Sequence, residues 1–259
     1  MRKAGASGAS LVILVWRILL LGGFLLLWEL SVRRGWIDRF FVSQPSLLLR
    51  QTWDWLASGY VYRHLWVTME EMLLGLLAGT LLGILVGFLF AFMPMVARIF
   101  DPLMVLLNAL PRVVLAPLFV LWFGLGLLSK VVMAVSLVFF VVFFSTYTGL
   151  REVDRDILNN ARILGGSRRQ LIQHVYIPSA MTWIFSSLRT SVGFALIGAV
   201  VGEYLGASEG MGWVIAYAEA QFNSTQVMAG LFVLMAVVAL MDFGLKRLEG
   251  HFSHWKPLG

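Results

Sequence analysis

Long apolar blocks alternate with short polar links along the chain, and the blocks repeat at lengths suited to lipid. A helix rising 1.5 Å per residue needs about twenty apolar residues to cross roughly 30 Å of hydrocarbon. Six blocks predict spans near 11–32, 67–92, 101–123, 131–150, 179–205 and 226–245. No stretch alternates apolar and polar residues as a barrel strand does. The expected fold class is therefore all-α, a polytopic transmembrane helical bundle of about six spans. The first block, LVILVWRILLLGGFLLLWEL (11–30), is followed by Arg33-Arg34 and no small-residue cleavage site, so it reads as a retained span.

Within the blocks, several positions break the pattern informatively. Gly75, Gly79, Gly83 and Gly87 recur every fourth residue, which leaves one helix face without side chains and lets another backbone approach. A partner within the same subunit is favoured over one across a dimer. Pro111 and Pro117 flank Arg112, which lies roughly 16 Å into the third block, where an unpaired arginine costs at least ~3 kcal/mol. The fifth block carries Arg189 among serines and threonines, with Glu203 toward its far end. Arg112, Arg189 and Glu203 are candidates for a translocation pathway for a polar or anionic solute; the alternative is that the arginines brace bent helices through backbone carbonyls.

Two links are long. Residues 33–66 hold eight aromatic rings, and PSLLLRQTWDWL (45–56), opened by a proline suited to a helix start, predicts an interfacial helix that either anchors the first span or meets an external partner. Between the fourth and fifth blocks, REVDRDILNNARILGGSRRQLIQHVYIP (151–178) offers Ile157, Leu158, Ala161, Ile163 and Leu164 at helical intervals. Gly165-Gly166 can end that helix, Leu171, Ile172 and Val175 form a second stripe, and Pro178 opens the next span. This describes a rigid lever joined directly to a spanning helix, with an apolar stripe that needs a partner.

Composition agrees: 59% of the 259 residues are hydrophobic and only 13% charged, outside the range of soluble domains. The net charge of +6 reflects topology and not nucleic acid, because most lysines and arginines, from Arg2 and Lys3 to Lys256, fall in links on one side if the N-terminus is cytoplasmic. The 151–174 link is the densest of these. Cysteine is absent, so disulfides and thiolate chemistry are excluded. His64, His174, His251 and His254 read as solvated or interfacial side chains, with no paired metal-ligand spacing. Glu29, Glu70, Glu71, Asp101 and Asp242 fall near span ends, leaving Glu203 alone as a carrier for a proton- or ion-driven transporter. No GxxxxGK[ST] phosphate loop is present, so any ATP chemistry would have to reside in another polypeptide.

The 151–178 segment resembles the cytoplasmic motif of permease subunits of binding-protein-dependent ABC importers. That motif reads Glu-Ala-Ala, three residues, Gly, nine residues, then Ile-x-Leu-Pro. Ala161, Gly165 and Pro178 match it, Val175 and Ile177 are apolar replacements, and Asn159 and Asn160 stand where Glu-Ala is usual. QPSLLLRQTW (44–53), LPRVVLAPLFVLWFGLGLLSK (110–130) and VVGEYLGASEGMGWVI (200–215) are similar to the sulfonate, taurine and nitrate branch. The resemblance implies a type I ABC importer permease fold, one transmembrane domain over 1–259 with a core of about 67–245. It implies a multi-pass protein of the bacterial inner membrane with both termini cytoplasmic. It implies a homodimer with a second permease copy, two cytoplasmic ABC ATPase subunits that bind ATP and Mg, and an extracytoplasmic solute-binding protein. The coupling residues would be Asn159, Asn160, Ala161, Arg162, Leu164, Gly165, Gly166, Ser167 and Pro178. No cofactor is expected in this chain, and it is expected not to be an enzyme.

Overall fold

A computed structural model describes residues 4–252, with side chains from 12 to 247 apart from Arg155. Arg2, Lys3, His254, Lys256 and the His251 side chain lie outside the described residues. Among the described residues the regular structure is helical. It runs α1 (Ala4–Arg33), α2 (Pro45–Ala57), α3 (Tyr60–Phe92), α4 (Pro94–Ala109), a 3₁₀ turn (Arg112–Leu115), α5 (Ala116–Phe123) and α6 (Leu127–Arg151). It continues as α7 (Arg155–Ile163), α8 (Arg168–Leu171), a π turn (Ile172–Tyr176), α9 (Ile177–Gly206), α10 (Met211–Ala220) and α11 (Ser224–Phe252). The spans expected from 67, 101 and 179 begin earlier, at Tyr60, Pro94 and Ile177; in the last two a proline stands in the first turn, where its missing amide costs no helix bond.

Two compact units are distinguished, one of residues up to Val61 with Val214–Val233, the other of Tyr62–Trp213 with the residues from Leu234 on. In the first, Glu29 near the end of α1 accepts bonds from the Ser46 amide and hydroxyl at 3.1 and 2.8 Å. A carboxylate thus sits on the open N-terminus of α2, where Pro45 occupies the first turn and needs no donor. The Trp28 indole donates to the Ser43 carbonyl at 2.9 Å, and Ser43 meets the Thr225 hydroxyl at 2.7 Å. The α2 helix expected over 45–56 is present as Pro45–Ala57.

The second unit is organised around α6. On one side, a Cβ at Gly75 would run into Ala134, and those at Gly79, Gly83 and Gly87 would sit 2.8 Å from the Cβ atoms of Val138, Val142 and Thr146. The glycine row therefore packs against α6 of the same chain. On the other side, Gly198 of α9 also has its face on Ala134, Gly202 makes room for the Lys130 stem, and Gly149 of α6 lies under the Trp183 ring. Ala134 is fully buried between two glycines. Phe143, also fully buried, stacks on Tyr147 at 6.0 Å and meets the Phe90 ring edge-on at 5.1 Å.

These pairings fix directions. Residue numbers rise together along α3 and α6, so the two run parallel, whereas they run oppositely along α6 and α9. Parallel crossings require one return crossing between them, and the only chain available is α4 with α5. That pair is bent by 82°. Leu110 precedes a proline and is forced to an extended ψ of 133°; Pro111 supplies no amide; and the Arg112 guanidinium donates to the Asn108 carbonyl at 2.9 Å, satisfying an acceptor the break exposes. Counting α4–α5 as one broken span gives six crossings: α1, α3, α4–α5, α6, α9 and α11.

The α6 contacts predict opposite outcomes for two glycines of one helix. Gly198→Ala drives a methyl into the Ala134 backbone and is expected to cost about 1–3 kcal/mol. Gly193 has nothing within 4 Å, so Gly193→Ala is expected to be neutral or to stabilise by about 0.5–1 kcal/mol. Thermal unfolding of the two variants in detergent decides this.

Candidate coupling segment and buried polar knot

The 151–178 segment is built by local rules. Asp154 caps α7, its carboxylate accepting the Asp156 amide at 2.7 Å. At the other end Gly165 adopts φ 81°, its amide donating to the Arg162 carbonyl at 3.0 Å while the Gly166 amide donates to Ala161 at 2.9 Å. This 6→1 and 5→2 pair is a Schellman stop, which needs the left-handed conformation at the first glycine. Gly166 is required for a different reason: a Cβ there would lie 2.7 Å from the Ala161 oxygen. Ser167 then caps α8 in a reciprocal box with Gln170, whose side chain accepts the Ser167 amide at 2.8 Å.

Pro178 shapes the junction with α9. Lacking an amide, it offers no donor to the carbonyl one turn back, and its ring crowds that group. The backbone responds by widening into the π turn, closed by an Ile177 amide bond to the Ile172 carbonyl. The base of the segment is seated on the bundle. Tyr176 meets Phe92 edge-on at 5.2 Å, and Leu150, Ala180 and Ile184 form a buried cluster there.

The outer end is apolar and bare. Ile163 and Leu164 are 81% and 87% exposed, and Ile157 is exposed beside them. Asn159, Asn160, Arg162, Ser167, Arg168 and Arg169 are exposed around them, whereas Ala161, Gly166 and Pro178 are half-buried. The residues expected to couple thus divide into a structural set, Ala161, Gly165, Gly166, Ser167 and Pro178, and a surface set that presents Leu164 with polar neighbours.

The three expected pathway residues are not brought together. Arg112 bonds Asn108 and lies 4.3 Å over the Phe140 ring, a cation–π contact. Arg189 is ion-paired with Asp242 at 3.2 Å, and Lys246 pairs with the same carboxylate. Glu203 is sealed from solvent in a polar knot at the far end of α9. There Glu203 accepts the Thr68 hydroxyl and the Gly212 amide, each at 2.6 Å. Thr68 in turn accepts the Met211 amide at 2.8 Å, and the Gly210 amide donates to His64 Nδ1 at 3.2 Å. The His64 ring stacks on Trp213 at 5.3 Å. Gly210, at φ 104°, has no space for a Cβ because the Glu203 carboxylate lies against it, and Gly212 lies against the Val200 carbonyl.

The structure corrects three expectations. His64 is not solvated but buried, near the start of α3. Glu71 is not at a span end: α3 begins at Tyr60, which puts Glu71 well inside the helix, buried and close to Glu203. Lys130, which the expected spans leave in the link before 131, instead belongs to α6, is buried, donates to the Leu125 and Gly126 carbonyls, and lies near both carboxylates. A cavity of about 280 Å³ lined in part by Glu70, Glu71, Lys130, Ser208 and Glu209 adjoins them.

Residues 79–254 match the family of binding-protein-dependent transport system inner membrane components. The chain is 34% identical over 232 residues to the formylaminopyrimidine transport permease protein ThiX of Halalkalibacterium halodurans, covering 90% of this chain and 92% of that one. It is 30% identical over 230 residues to the putative aliphatic sulfonates transport permease protein SsuC of Bacillus subtilis, covering 89% and 83%. Its fold is similar to that in an inward-facing structure of the MetNI methionine ABC transporter, with a TM-score of 0.63 at 19% identity, covering 73% of this chain and 94% of that one. With a family match over more than half its length and relatives aligned along nearly all of it, the chain belongs to the inner membrane components of binding-protein-dependent transport systems, as a permease subunit and not an enzyme.

Proposed function

We propose that two copies of this chain form the solute pathway of an importer, with the 151–178 segment of each seated in a separate cytoplasmic ATPase subunit that binds ATP and Mg. The observation that carries this is the segment's outer end. Ile157, Ile163 and Leu164 project from a helix that is capped at both ends and anchored at its base, so the apolar surface is held rigidly toward a partner. Exposed aliphatic area of this kind favours burial by about 25 cal/mol per Å². The arginines around it suit a cleft with an acidic rim. Both termini lie on the side of this segment, since six crossings return the chain to where it began.

An extracytoplasmic binding protein delivers the solute. The relatives carry names of unlike solutes, a formylaminopyrimidine and aliphatic sulfonates, and both kinds are compatible with a small polar or anionic solute. Arg112 is the pathway residue we retain. It stands at the break of the α4–α5 span, where broken helices expose polar groups to solutes, and among the described residues its buried Nε has no hydrogen-bond partner. Arg189 is held by Asp242 and Glu203 by the knot, which takes both out of the pathway.

Three measurements test this reading. Leu164→Glu places a charge in the docking surface and is expected to lower co-purification of the ATPase about tenfold or more; unchanged co-purification overturns the docking role. Gly165→Val is incompatible with a φ of 81° and is expected to leave the protein in the membrane while uptake per ATP hydrolysed falls. Arg112→Met is expected to raise the solute concentration for half-maximal uptake about tenfold, the loss of one charge-assisted bond of ~1.5 kcal/mol, without altering ATPase binding.

A further inference from the structure

The coupling segment and the polar knot sit at opposite ends of one helix. α9 runs without interruption from Ile177 to Gly206, about 45 Å at 1.5 Å per residue. Its first turn grows out of the π turn and its last carries Glu203. Beyond Glu203 the chain turns through Ala207–Gly210 into α10, and this loop is not a free hinge. The loop's last amide and the first two of α10 are pinned in succession: Gly210 to His64, Met211 to Thr68 and Gly212 to Glu203. Two of the partners belong to α3 and one to α9, so the knot ties the loop to both helices at once.

We propose that Glu203 is a positioning residue for transport. By clamping the 207–212 loop to the end of α9, it makes displacement of the coupling segment at one membrane face move that loop at the other without slack. The proposal rests on the docking of the coupling segment in an ATPase subunit. The chemistry of the clamp favours this role over filling space. An apolar side chain fills a buried position without having to offset the desolvation of a carboxyl. A carboxyl instead offers two acceptors in fixed directions, and here each is used, one by the Thr68 hydroxyl and one by the Gly212 amide. Gly202, Gly210 and Gly212 all lack side chains where one would collide with Lys130, Glu203 or Val200, so the surrounding backbone is shaped to let the carboxyl in. Lys130, packed on Gly202, sets a compensating charge beside it from α6.

The test uses the complete transporter, with its ATPase and binding protein, in liposomes. The chain has no cysteine, so Ser208→Cys in the exposed part of the loop provides a single label site. In that background, modification by a membrane-impermeant maleimide is expected to change about tenfold between the nucleotide-free and ATP–vanadate-trapped states, within the usual range of coupling between distant sites. Adding Glu203→Leu is expected to reduce this change below about twofold and to lower uptake in proportion, with ATPase co-purification retained and basal ATP hydrolysis within about twofold of the parent. Glu203→Gln keeps one acceptor for Gly212 and can donate to Thr68, so it is expected to restore at least half of the response.

A full nucleotide response with Glu203→Leu overturns the proposal. So does a fall in protein level with normal response and uptake per molecule, which marks Glu203 as packing only. If Glu203→Leu does not accumulate, Thr68→Val, which removes the hydroxyl at nearly constant shape, is judged by the same two outcomes. An ATPase that binds the parent while position 208 gives no nucleotide response refutes this proposal alone. An ATPase that does not bind the parent refutes the docking reading.

Discussion

The close approach of three backbones at Ala134 governs the rest of the bundle. In lipid, helices gain little from hiding apolar surface, because the tails are as apolar as the side chains. They associate where van der Waals contact is dense, and density is highest where side chains are missing. Gly75 and Gly198 press on the same alanine from α3 and α9, and the α3 contact continues through Gly79, Gly83 and Gly87. With α6 held on both sides, the directions of its neighbours follow, and so does the need for the intervening chain to cross once. The 82° break at Leu110–Pro111 is thus a property of a span, not a separate element.

A bundle fixed at its centre can still be soft at its ends, and the two ends of α9 are stiffened by different means. At the coupling end the means are local: a Schellman stop, a capping box and a π turn forced by Pro178, each completed within a few residues. At the other end they are non-local. Thr68 and His64 reach the loop from more than 130 residues away in sequence, an interval of 135 separating Thr68 from Glu203. Local caps survive a change of surroundings, whereas a knot of this kind exists only when the whole unit is assembled.

That difference explains what is legible in the sequence. The glycine row can be recognised because its period of four is a helical period, and the lever because Gly-Gly and Pro punctuate an amphipathic stretch. The capping box is readable as Ser167-x-x-Gln170, although an arginine-rich link draws attention to charge instead. The knot cannot be read. Glu71 lies near the expected start of a span and Lys130 near an expected loop, yet both are buried, Lys130 against Gly202 of α9 and Glu71 close to Glu203. Helix α10 is hidden too, since Gly210 and Gly212 look like ordinary punctuation until Glu203 is seen to occupy the space their side chains would need.

The constraint on the 151–178 segment supports the proposed protein partner over lipid. Arginines flanking aliphatic side chains would also suit a helix lying among headgroups, where neither the angle of approach nor the register matters. This segment fixes both. Gly165 and Gly166 are each required for a stated geometric reason, Ser167 and Gln170 lock the following turn, and Tyr176 and Leu150 hold the base. A fluid interface cannot exploit such constraint, because headgroups adapt to any orientation of the helix. A cleft of fixed shape can, since every degree of freedom already frozen in the segment is one that binding need not freeze. A segment held this rigidly also passes on a displacement instead of absorbing it in its own bending, which is the property a transmitting element requires.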